Sequence, residues 1–313
     1  MTVHAFAKIN LDLRVLGVRP DGYHELRTTF QSIALSDRLT FTRTRGPFRI
    51  ECDEPAFPTG RSNLIWKAAD LVLKLARRRE SPSGVTVRVE KNIPMQAGLG
   101  GGSSDGAAAL RALCRMWKVT PSPEELHHAA ATLGADVPYF LEGGTALGFH
   151  RGDLLFPLDD IAPAWVVVVV PDFGVSTKDA FAWWDHDVRL KAHATAGRAT
   201  AGHATAGHAT AGHATAGHVA SGVGHVASGF SRTKASNDLE KVVARRHPVV
   251  STLVRALNKE GAFHAALSGS GSAVFGLFSR RSAAQAAARA LAGPRTFVTP
   301  TLSRRACRRL AAK

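Results

Sequence analysis

Apolar residues over 5–16 and 32–42 follow an extended pattern, and 85–89 alternates apolar with polar positions, so three strands are predicted in the first half of the chain. Before the third of these, residues 63–78 place Leu64, Ala68, Leu71, Val72 and Leu75 at helical spacing, which predicts a packed helix. A second helix is predicted from Ala107, Leu110, Cys114 and Trp117, with Ser103, Ser104 or Asp105 available to cap it. It starts directly after a glycine run. Pro123, Glu124 and Glu125 head a third helix ending near Gly134, because proline suits the first turn and acidic side chains complement the helix dipole there. Downstream, residues 166–170, 249–257, 273–278 and 283–291 read as strand, helix, strand and helix.

These segments fall into two groups, and 313 residues exceed the usual single domain, so two domains sharing a cleft are expected: 1–161 and 162–313. The second is interrupted by a low-complexity tract over 191–229, built on a five-residue unit (HATAG, RATAG, HVASG). Five residues advance a helix by about 500°, so the histidines form no helical stripe. An odd period also puts them on alternate faces of a strand. With so little apolar area to offset ordering entropy, the tract is expected to be disordered.

Forty Lys and Arg against 25 Asp and Glu leave a formal charge of +15, which raises nucleic acid as a partner. The basic residues are dispersed, clustering only at Arg77, Arg78 and Arg79 and near the C-terminus, with no aromatic-studded basic motif. No nucleic-acid partner is therefore expected; the positive field suits small polyanions. The apolar run 165–170 is too short to span a bilayer, and the first fifteen residues lack a secretory pattern, so a cytoplasmic protein without a membrane partner is expected. Cys52, Cys114 and Cys307 lie far apart, without metal-ligand spacing or a disulfide framework.

The strongest chemical signal runs from Lys91 to Asp105. Gly98, Gly100, Gly101 and Gly102 let the backbone approach a ligand closely, and the following helix presents unpaired N–H groups and the positive end of its dipole. Phosphate fits such a site, although the spacing is not that of a P-loop.

The string Pro94, Met95, Gln96, Ala97, Gly98, Leu99, Gly100, Gly101, Gly102, Ser103, Ser104 resembles the ATP-binding motif of the GHMP kinase superfamily. Residues 7–13 and 19–26 resemble the N-terminal signature of the branch whose acceptor is 4-diphosphocytidyl-2-C-methyl-D-erythritol. Residues 134–140, 237–240 and the glycine-rich 266–275 match the same branch, and the likeness spans 5–278 apart from the repeat tract. It implies an α+β fold: an N-terminal ribosomal S5 domain 2-like domain and a C-terminal ferredoxin-like α/β sandwich. It implies ATP as phosphoryl donor, with Mg²⁺ on the nucleotide and no dedicated metal cage. Asp136 is then the catalytic base and Lys8 its partner at the accepting hydroxyl.

The same resemblance gives Asn10, Tyr23 and His24 to the acceptor, the last two reading cytidine by stacking and by its edge. Thr177 is placed near the polyol and Phe181 opposite Tyr23, with Phe173 competing for that wall. Asn63 and Lys91 fall near the nucleotide. A relative acting on mevalonate, homoserine or a sugar would share the glycine loop but would not need Tyr23 and His24.

Overall fold

A computed structural model of the chain describes residues 1–199, 236–291 and 295–311. The first lobe runs β1 (Thr2–Val18), β2 (His24–Pro47), β3 (Arg49–Cys52), α1 (Leu64–Leu75), β4 (Ser83–Glu90), α2 (Gly101–Trp117), α3 (Pro123–Leu133), α4 (Val137–Glu142), β5 (Thr145–His150) and β6 (Leu154–Pro157). Its sheet has the order β3-β4-β2-β5-β6, with β1 also paired to β2. The second lobe runs β7 (Trp165–Val170), α5 (Thr177–Ala199), α6 (Asp238–Arg246), α7 (Val249–Lys259), β8 (His264–Leu267), β9 (Val274–Phe278), α8 (Arg281–Ala290) and β10 (Arg295–Pro300), after which α9 (Arg304–Leu310) packs back on the first lobe, with Arg308 paired to Glu142 and Arg304 bonded to the Thr145 carbonyl. Its sheet has the order β10-β7-β9-β8. Helix α5 carries the backbone through 191–199, so the first part of the repeat tract is helical where disorder was expected, and the rest of the tract lies outside the described residues.

Strand β1 explains how the lobes join. Its ends alternate buried and partly exposed positions, as a one-sided strand should, but Ala7 to Leu11 are buried at every position. Val3 and Ala5 pack into the core beneath α1 and α2, while Leu13 and Val15 pack into the core beneath α6 and α7. Between them, Ala7, Ile9 and Leu11 meet Val166, Val168 and Phe275 of the second sheet. Side chains two apart share a face, so Lys8 and Asn10 emerge together on the side opposite this seam. Leu13 N donates to Ser236 O at 3.2 Å, and Asp238 accepts from Arg14 Nη1 and from Val15 N, each at 3.0 Å. The chain leaving the tract is thereby tied to β1.

Most expected elements are present, with two corrections. Helix α1 buries Ile65, Ala68, Ala69, Val72 and Leu73, so its core face is turned from the expected stripe. Helix α2 has no side-chain cap: its N-cap is Gly100 in the left-handed region (φ 72), and the helix begins at Gly101. Asp105 cannot reach back to cap it, because it is buried against Lys91.

Candidate active site

The glycine run and the N-terminus of α2 line a cleft of about 1070 Å³. Pro94, Met95, Gln96, Ala97, Gly98, Leu99, Gly100, Gly101, Gly102 and Ser103 all border it. Ser104 does not: it is buried on the other side of α2, and its N–H is already bonded to Gly100 O at 2.9 Å. A β-carbon on Gly100 would fall 2.6 Å from the Phe140 ring, whereas one on Gly102 would meet nothing within 4 Å. The loop is therefore packed from behind and open toward the cleft. Unpaired helix N–H groups and the dipole make this wall a receptor for phosphate oxygens.

Lys8 and Asp136 face each other across the cleft floor. Lys8 comes from the doubly buried part of β1 and is 3% exposed, while Asp136 stands at the head of α4, where its carboxylate caps nothing. Their closest atoms, Nζ and Oδ2, are 3.7 Å apart, an ion-pair distance longer than a hydrogen bond. Lys8 Nζ donates to Asn10 Oδ1 at 2.5 Å, and Asn10 Nδ2 donates to Thr28 Oγ1 at 2.8 Å. Burial pulls the Lys8 pKa below the ordinary lysine value, although Asp136 pulls the other way. The Asp136 side chain keeps about a third of its surface open, so the carboxylate can receive a proton from a bound alcohol.

The other end of the cleft is aromatic. Tyr23 and His24 border it from the turn into β2, and Thr177 and Phe181 border it from α5. Phe181 stacks on His24 with centroids 4.5 Å apart, whereas Phe173 stacks on His247 at 4.0 Å in the second core and does not border the cleft. The structure brings Phe181, not Phe173, to this wall. Arg151 and Asp185, which sequence reasoning missed, also line it: the Arg151 guanidinium lies 5.1 Å from the Tyr23 ring centre, and Asp185 Oδ1 lies 2.8 Å from His24 Nε2. Only spacing pointed to Asp185, which follows Phe181 by one helical turn.

Asn63 and Lys91 line the cleft too, but both side chains are engaged elsewhere. Asn63 caps α1 by accepting from Ile65 N at 2.8 Å. Lys91 donates to Asp37 and to Asp105, the second bond at 3.1 Å, in a triad whose members are at most 5% exposed. Burial opposes the ammonium, but the two carboxylates outweigh it and hold the Lys91 pKa above the ordinary value. Burial pushes Asp105 up, and its Oδ1 has no hydrogen-bond partner.

After the glycine run and the turn into β2, the glycine-rich segment 266–275 is the third loop at the cleft and closes it from the second lobe. Asn237 Nδ2 donates to Leu267 O at 2.9 Å and Gly269 O at 2.7 Å. Ser270 Oγ lies 3.2 Å from Thr177 Oγ1. A β-carbon on Gly269 would come within 3.2 Å of Lys8 Nζ, so this loop backs the lysine.

Residues 63–144 match the family model of the GHMP kinases N terminal domain, and 226–294 match that of the GHMP kinases C terminal. A 4-diphosphocytidyl-2-C-methyl-D-erythritol kinase from Moorella thermoacetica is 40% identical over 304 residues, 96% of this chain and 99% of the relative. One from Solibacter usitatus is also 40% identical, over 98% of this chain and 90% of the relative. The crystal structure of a 4-(cytidine 5'-diphospho)-2C-methyl-D-erythritol kinase superposes with a TM-score of 0.72 at 32% identity, covering 96% of this chain and 99% of that one. That of L. major mevalonate kinase, 18% identical with a TM-score of 0.62 over 97% of this chain and 96% of that one, shares the fold. Given this identity over nearly the whole length, and a cleft lined by the motifs that carry the likeness, the chain belongs to the GHMP kinases and, within them, to the 4-diphosphocytidyl-2-C-methyl-D-erythritol kinase family.

Proposed function

We propose that the protein transfers the γ-phosphoryl of ATP to the 2-hydroxyl of 4-diphosphocytidyl-2-C-methyl-D-erythritol, giving ADP and the 2-phosphate, in the cytoplasmic non-mevalonate route to isoprenoid precursors. The observation that carries the reading is the Lys8–Asp136 pair, set 3.7 Å apart in the cleft that the glycine loop and the His24–Phe181 wall both border. Bound at the mouth of α2, the nucleotide phosphates take the amides of Gly101, Gly102 and Ser103. Asp136 orients the acceptor alcohol and receives its proton as the new P–O bond forms. Lys8 stabilises the charge that develops on the transferring group, and Asn10 fixes the position of its ammonium.

Among the described residues no group of three or more His, Cys, Asp or Glu is placed to hold a metal ion. The Ser103 hydroxyl, beside the phosphate-binding amides in the cleft, is a hard donor that fits a nucleotide-borne Mg²⁺, which would neutralise phosphate charge when bound. Tyr23 and Phe181 enclose the cytosine ring, His24 reads its edge and Thr177 faces the polyol. No described helix is long and apolar enough to cross a membrane.

A coupled ADP-release assay with ATP and a panel of acceptors tests the reading. Turnover is expected with the cytidylyl acceptor and not with mevalonate, homoserine or galactose. Preference for any of these three overturns the assignment.

A further inference from the structure

Thr177, Phe181 and Asp185 are spaced four residues apart on α5, share one helical face and all border the cleft. This face holds the His24 ring from three directions. Phe181 covers its plane (centroids 4.5 Å apart, planes 20° apart), Trp184 meets it edge-on at 5.8 Å, and Asp185 Oδ1 lies 2.8 Å from Nε2. With its side chain 10% exposed, His24 has little freedom to turn. A carboxylate only accepts hydrogen bonds, so Nε2 must carry a hydrogen. In the neutral ring the remaining nitrogen, Nδ1, then holds a lone pair and is an acceptor.

We propose that Asp185 is a positioning residue for nucleobase selection: by fixing His24 as an acceptor at Nδ1, it makes the pocket prefer an amino-bearing pyrimidine over its oxo counterpart. The inference rests on the functional reading above. Cytosine presents an exocyclic amine, which donates to the lone pair. Uracil presents a carbonyl oxygen there, so two acceptors meet and neither is satisfied. The carboxylate comes from the second lobe and the histidine from the first, so the preference depends on both lobes.

The test compares cytidylyl and uridylyl forms of the acceptor on wild-type, Asp185→Asn and Asp185→Ala proteins. An asparagine can turn its amide hydrogens toward Nε2, and an alanine leaves the tautomer free; in either case Nδ1 can become a donor. The expected result is a rise of about 3- to 10-fold in KM for the cytidylyl acceptor, a fall in the cytidylyl-to-uridylyl ratio of kcat/KM, and a smaller change in KM for ATP. Ring nitrogen NMR of the wild type should show hydrogen on Nε2 and none on Nδ1 of His24, a readout that simple packing would not produce. If wild type phosphorylates the cytidylyl acceptor and both variants keep its preference, or if Nδ1 is protonated in the neutral ring, the inference is overturned alone. A wild type that does not phosphorylate the cytidylyl acceptor overturns the functional reading, and this inference with it.

Discussion

Ser268 and Gly98 lock two loops together: Ser268 Oγ donates to the Gly98 carbonyl at 3.0 Å, and a β-carbon on Gly98 would fall 2.1 Å from the Ser268 carbonyl oxygen. Gly98 also has φ +74, which side-chain-bearing residues rarely adopt. Gly98→Ala should therefore destabilise the protein by about 1–3 kcal/mol and weaken ATP binding, read by urea unfolding and by calorimetry. Gly102→Ala is the control. With no heavy atom within 4 Å of the new methyl, stability should barely change while ATP binding weakens, because the methyl stands in the open cleft. Equal stability of Gly98→Ala and wild type would show that the loops do not interlock.

Asp136→Asn keeps the shape of the side chain and removes the base, so turnover should fall by about 10²- to 10⁴-fold with ATP affinity little changed. Lys8→Ala should be comparably severe. Single-turnover kinetics under saturating substrates separate this from a binding defect, and near wild-type rates would remove Asp136 from the chemistry.

Asn237 donates to two loop carbonyls and accepts from Leu239 N at 2.9 Å, so one residue both holds the third loop and starts α6. Asn237→Ala should cost about 1–3 kcal/mol through the carbonyls left unpaired, and should also lower turnover, since that loop backs Lys8. Asn237→Asp keeps the cap but turns a carboxylate toward two carbonyl oxygens. It should be at least as destabilising at pH 7 and recover part of its stability in acid, where protonation restores a donor.

The Asp37–Lys91–Asp105 triad makes stability depend on pH in a direction that follows from Asp105. Burial raises its pKa from 3.8 to about 8, so between these values the folded protein keeps a proton that the unfolded chain has released. Its stabilising contribution is full below the lower value and is lost as pH rises toward the upper one. Lys91 offsets that loss by favouring the ionised form. Lys91→Met should therefore destabilise by about 3–5 kcal/mol near neutrality, and by less at pH 5. Denaturation at both pH values checks the sign.

The glycine loop and the helix after it were legible because their requirement is local: close backbone approach, then a helix start. What failed locally was the cap, since Asp105 has a partner, Lys91, fourteen positions away whose claim on it no propensity reveals. The choice between Phe173 and Phe181 turned on whether α5 or the segment before it meets β2, a tertiary fact. Asp185 and His24 are 161 positions apart, and Asn10 finds Thr28 only through the pairing of β1 with β2. Motif residues could be read from the chain; the side chains that orient them depend on how the two lobes meet.

The anchorage of Ser236 and Asp238 on β1 acts as strain relief does on a cable. The chain returns from the tract at this point, and any pull transmitted along it meets Leu13, through Ser236, before it reaches the hold of Asn237 on the third loop, with Arg14 and Val15 fixing Asp238 just beyond. At the other end, α5 runs on for fourteen residues beyond Asp185, about 21 Å at 1.5 Å per residue, before Ala199. The chain after the tract is thus held by a strand of the first lobe, whereas the chain before it runs on the same helix that carries Thr177, Phe181 and Asp185 to the cleft.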